Sequence, residues 1–232
     1  MATAQSTAPE YAPNDLDALV GELFPVICGE RPRRGDDFLF DPATLVGSTR
    51  HYYVKYLRWL GLDEEVLPPE RILIHAGLPE PGRLERRAPQ GQDGRFSLYL
   101  DNDLYRSLDA VKMVLAHELT HLYLVHHGHQ KLRDAETTTT ALAPTVSRLS
   151  DPEEVRTEVA SILLGFGRLV LNGVCDYARL HAEDGRTGQL GYLTIPRFVH
   201  VYRRVNELVG VGREAAAHGL NGPARQTLNS TS

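Results

Sequence analysis

The sequence predicts an α+β fold, helix-rich with one small mixed sheet, on three observations. Apolar residues recur at helical spacing over four long stretches, 47–60, 107–125, 152–172 and 196–210. Two shorter runs, "RILIHA" (71–76) and "RFSLYL" (95–100), have strand character, the second setting Phe96, Leu98 and Leu100 against Ser97 and Tyr99. A length of 232 residues at 42% hydrophobic content supplies an ordinary core for one domain. That domain is expected over 15–220, between flexible ends at 1–14 and 221–232.

Small polar residues and prolines dominate Met1–Asn14, and "NGPARQTLNSTS" from Asn221 ends the chain in the same way, so both ends are expected to fray. Residues 1–30 hold five acids and no Lys or Arg, yet the apolar "LVGELFPVI" among them favours a helix with one solvated face over an acidic tail. In "GSTRHYYVKYLRWL", Tyr52, Tyr53, Tyr56, Leu57, Trp59 and Leu60 make a core-facing stripe, with Ser48 or Thr49 as N-cap and Gly61 as the stop. Pro79 to Gly94 reads as a loop or hairpin connection, its Arg83, Arg86 and Arg87 solvated. Ser107 opens the next helix and Gly128 closes it. "KLRDAETTTTALAPTVSRLS" follows as a loop or broken helix, marked by its threonine run and Pro144. Asp151 as N-cap and Pro152 at the first helical position then start a helix that Gly173 is expected to end. The last amphipathic helix starts from Pro196, and no repeat at a solenoid period is present.

A net charge of -5, from 25 basic and 30 acidic side chains mixed along the chain, leaves no electrostatic footprint for nucleic acid or an anionic membrane. Cys28 and Cys175 stand alone, which argues against a disulfide framework or a cysteine-rich metal site and for a reducing compartment. With no signal-like start and no long uncharged apolar run, a cytoplasmic location is expected. The oligomeric state is not legible.

One stretch carries the chemistry: "AHELTHLYLVHHGHQ" (116–130) holds five histidines and Glu118 in an otherwise apolar run. His117 and His121 are four apart, so their rings leave one helix face a turn apart, as a metal ion requires. Glu118 lies about 100° around the helix, placed to act on a metal-bound water without being a ligand. Val111, Met113, Val114, Leu115, Leu119, Leu122, Leu124 and Val125 surround the motif, so the helix is expected to be internal. Unpartnered ionisable groups there would cost several kcal/mol, and a divalent cation with its water satisfies all three; zinc suits two imidazoles and a carboxylate. His126, His127 and His129 have the wrong spacing for a longer motif and suit a helix C-terminus.

A third ligand is expected from the 152–172 helix, where Glu154 and Glu158 share a face that continues through Ser161 and Gly165. Gly165 and Gly167, costly inside a helix, suggest close packing against the histidine helix. Either glutamate is a candidate: Glu154 sits in the first turn, where acids are favoured anyway, and Glu158 sits deeper, as ligand or as an acceptor that orients a histidine. Glu153 points away.

At these residues the sequence resembles the zincin metallopeptidases, in particular the gluzincin branch, in which a His-Glu-x-x-His helix is followed by one carrying Glu-x-x-x-Asp or a near variant. "HELTH" (117–121) fits fully, and "EVRTE" (154–158) fits with Glu158 where the family has aspartate. The chain is also similar to small bacterial proteins of the ImmA/IrrE type, whose glutamate helix runs on into apolar residues as "EVASILLG" does. The likeness covers residues 95–170. It implies a zincin-like fold and a zinc ion (Zn2+) held by His117, His121 and Glu154, with Glu158 outside the ligand set. It further implies Glu118 as general base and a peptide substrate added as a strand to a sheet edge, for which "RFSLYL" is the candidate. An oxyanion donor is implied as well, with Tyr177, His181, Tyr192 and His200 on offer.

The expected function is zinc-dependent hydrolysis of a peptide bond in a peptide or protein substrate. The alternatives are a zinc-binding regulatory or scaffold protein, a zinc-dependent tailoring hydrolase acting on another amide, and a partner-binding module using Trp59 and the tyrosine stripe.

Overall fold

The computed structural model describes residues 11–30, 35–86, 96–130, 152–185 and 188–230. The expected N-cap Asp151 and the threonine-rich stretch from Lys131 lie outside these residues, as does most of the first fourteen.

Three helices frame the site. α3 (Leu108–His126) begins at Ser107, whose hydroxyl accepts from the Ala110 amide at 3.0 Å and donates to Asp176 at 2.6 Å, so the cap also ties α3 to its neighbour. α4 (Pro152–Ser161) runs through a π turn at Ile162–Phe166 into α5 (Gly167–Glu183). α3 is covered on nearly all sides, by α4 and α5 on one flank and by the sheet and α2 (Thr49–Leu60) on the others. This explains why its apolar residues go all the way round.

The sheet holds β1 (Ile72–His75), β2 (Gly82–Arg86) and β3 (Phe96–Asp101) in the order β1-β3-β2. β1 is parallel to β3 in the register Ile72↔Leu98, and β2 is antiparallel to β3 in the register Leu84↔Leu98. The mixed sheet matches expectation, but the expected edge does not. β3 is central and buried on both faces, and β2, inside the segment read as a loop or hairpin connection, is the outer strand next to α3. The sequence hides β2 because Leu84 is its one buried apolar side chain, while Arg83 is spent on Glu85 at 2.5 Å and over the Tyr99 ring.

The tyrosine stripe of α2 is core: Tyr53, Tyr56 and Leu57 are buried, and Gly61 ends the helix in the left-handed conformation. α1 (Pro13–Glu30) lies against α4, the π turn and α6 (Ile195–Val209), with Asp17 on His200 and Glu22 on Arg156. Gly173 does not end the long helix. It lies inside α5, where a Cβ would meet Met113 of α3 at 2.3 Å, so this glycine lets the two helices touch. Gly165 and Gly167 have other partners: Gly165, at φ +92, faces Phe38 and Trp59, and Gly167 faces Tyr202. The run Pro152–Glu183 is long and apolar enough to cross a membrane by composition, yet its apolar window is wholly buried against the rest of the chain.

The C-terminal stretch read as frayed forms α8 (Gly222–Ser230), after the short α7 (Arg213–Ala217). Asn221 caps α8 through the Ala224 amide at 2.9 Å, and its side-chain amide reaches Asp109 of α3 at 2.9 Å. Ala224 and Leu228 are buried, and α8 packs on α5.

Candidate metal centre

His117 Nε2, His121 Nε2 and Glu154 Oε2 converge on one point: the two nitrogens are 3.1 Å apart, and the oxygen is 3.1 Å and 3.0 Å from them. Ligands on a tetrahedral ion with bonds near 2.0 Å sit about 3.3 Å from one another. The triangle is therefore of the right size and chemistry, two imidazoles and one carboxylate, and among the described residues these three form the cluster able to hold a metal ion. Glu154 occupies this place because the first turn of α4 faces the middle of α3.

His121 is oriented from behind. Its Nδ1 lies 3.1 Å from Gln130 Oε1 and 3.2 Å from Thr157 Oγ1, and the Thr157 hydroxyl donates to the Glu153 carbonyl. With carbonyl-type acceptance from Gln130, the proton belongs on Nδ1 and the Nε2 lone pair faces the triangle. Neither Gln130 nor Thr157 was picked out from sequence; the signal for Thr157 was its position within "EVRTE", three residues after Glu154.

Burial pulls His121 down, but its hydrogen bond with Glu154 and the charges of Glu118 and Glu154 outweigh this, and the imidazole is pushed up to about 9. Burial works the other way on Glu154, where the bonds from His117 and His121 prevail and hold the carboxyl well below the usual range. Glu118 is buried at 6% exposure; desolvation raises its pKa against the pull of His117 and His121.

A cavity of about 130 Å³ opens on these groups. It is lined by His117, Glu118, His121 and Glu154, by β2 from Gly82 to Leu84 and by the segment Leu190–Tyr192. β2 comes so close that a Cβ on Gly82 would sit 2.4 Å from Val114 and 3.0 Å from Glu118 Oε1. Glycine is needed here for approach, not for its backbone angles.

Glu158 is outside the ligand cluster and does not orient a histidine. It is 1% exposed, and its two oxygens accept from the Tyr192 amide at 2.5 Å and the Leu193 amide at 2.9 Å. Desolvation pushes its pKa up, opposed by those two bonds. Of the four candidate oxyanion donors, Tyr192 lines the cavity, with its ring stacked on His117 at 6.5 Å and 20°. Tyr177 and His181 pair with each other on α5, and His200 pairs with Asp17. His126 and His127 are exposed at the end of α3, and none of the three extra histidines joins the cluster.

The chain was compared with family models, with curated proteins and with solved structures, and no match was found in any of the three.

Proposed function

We propose that this chain is a zinc-dependent hydrolase of the peptide bond. The observation that carries the reading is the convergence of three ligand atoms beside a buried carboxylate, on a cavity walled by a strand that has one partner among the described residues. Two imidazoles and a carboxylate are a ligand set found in catalytic zinc sites with an open fourth position. When bound, the ion would polarise a carbonyl and make a water acidic near neutral pH.

The chain's own residues do the rest. Glu118, buried and raised in pKa, takes a proton from the attacking water and passes it to the leaving nitrogen. Gly82, having no side chain, leaves room beside the Glu118 carboxyl, which an added Cβ would approach to 3.0 Å. The Tyr192 hydroxyl is kept protonated by burial and by the carboxylates of Glu154, Glu80, Glu118 and Glu158, which suits it to donate to the carbonyl oxygen. An extended peptide laid along β2 as a further strand would present its backbone to these groups; β2 thus takes the role first expected of β3.

The test is turnover of a peptide library by zinc-loaded protein, with Glu118→Gln as the control that keeps the metal. Cleavage lost in Glu118→Gln supports the reading. Metal-loaded protein without Glu118-dependent cleavage of any peptide overturns it, and retained hydrolysis of small amides would then point to a tailoring hydrolase.

A further inference from the structure

Glu158 stands where the resembling family has aspartate, and it lies outside the ligand cluster, while His121 Nδ1 is held by Gln130 and Thr157. Its carboxyl group receives two consecutive backbone amides, of Tyr192 and Leu193, from the segment that lines the cavity. Successive N–H groups turned toward one acceptor form a concavity, which a turn conformation of the backbone builds. Gly191 provides it at φ +88, and a Cβ there would strike Glu158 Oε1 at 2.3 Å. Each partner is shaped for the other. Glu158 also rides one turn behind Glu154 on α4, so the ligand and the wall are fixed by the same helix.

We propose that Glu158 is a positioning residue that, with Gly191, clamps the Gly191–Leu193 backbone and so sets the Tyr192 side chain over His117 at a fixed distance from the metal ligands. The extra methylene of glutamate relative to aspartate is what lets a residue of α4 reach that backbone. The activity arm of the test rests on the hydrolase reading; the clamp itself does not.

Amide hydrogen exchange at Tyr192 and Leu193 reads the clamp directly, because these are the two donors. In Glu158→Asp and in Gly191→Ala, which attack the contact from opposite sides, exchange at both amides should accelerate at least about tenfold, the two changes combining to little more than either alone. Glu158→Gln, which keeps the size and one acceptor oxygen, should fall between these and wild type. Zinc content should stay near wild type in all three, unlike Glu154→Gln. In peptide turnover the clamp variants should lose kcat, and adding Tyr192→Phe to Glu158→Asp should cost little further, whereas Tyr192→Phe alone leaves the two amides protected.

Unchanged exchange at both amides in Glu158→Asp and Gly191→Ala would overturn the proposal. So would zinc loss in Glu158→Gln equal to that in Glu154→Gln, which would make Glu158 part of the ligand set. If wild type cleaves nothing, the hydrolase reading fails while exchange and zinc content still decide the clamp.

Discussion

Two polar networks meet α3, one at Asp109 in its first turn and one at His117 and His121 further along, and they differ in closure. At the scaffold end, Asn172 donates to the Gly219 carbonyl and accepts from the Asn221 amide, while Asn221 reaches Asp109 and caps α8. Every donor there meets an acceptor. At the cavity end, two imidazole nitrogens and a carboxylate oxygen lie within 3.1 Å of one another, an arrangement that suits a shared cation. The first network fixes helices in place; the second has the donor set to hold a metal ion. The same physics of buried polar groups produces both.

Substitutions can sharpen that contrast. The largest effect is expected at Glu118: Glu118→Gln should keep zinc and lose about 10³-fold in peptide turnover, measured as kcat on the best library substrate. Next is pH. A metal must displace the proton of His121, whose metal-free pKa is about 9. Below that value each metal bound releases a proton, so apparent zinc affinity, read by competition with a chelator, should climb about tenfold per pH unit from pH 7 to 9 and then flatten. The stability of the metal-free chain runs the other way. The gain from protonated His121 is complete below 6.5, the ordinary value, and is lost as pH rises through about 9.

Gln130→Ala removes the partner that orients His121, and zinc affinity should drop about tenfold with little change in melting temperature. Asn221→Ala opens the scaffold network instead. It should cost about 2 kcal/mol through the lost cap on the Ala224 amide and the lost side-chain bond to Asp109, lowering Tm by roughly 6 °C with zinc affinity unchanged. If Asn221→Ala weakened zinc binding as much as Gln130→Ala, the separation of the two networks would break.

Legibility followed sequence separation. That His117 and His121 lie together could be read because a helix places residues four apart on one face. The same spacing put Glu154 and Glu158 on one face of α4 and left the choice between them open; the structure brings Glu154 to the histidines. Gln130, nine residues from His121, and Tyr192, held from α4 across 34 residues, depend on loop paths that no periodicity encodes. β2 was missed because an outer strand buries one side chain where a central strand buries five, and so it lacks an apolar pattern. α8 is a different lesson: Asn221 as cap and Pro223 in the first turn were present as signals, and the polar composition masked them.

The central claim is that His117, His121 and Glu154, and not Glu158, hold a metal ion. Elemental analysis of purified wild-type, His121→Ala, Glu154→Gln and Glu158→Gln protein tests it most directly. The account predicts one zinc per chain in wild type and in Glu158→Gln, and loss of the metal in the other two. Wild-type protein free of divalent metal after zinc supplementation, or zinc retained without Glu154, would contradict it.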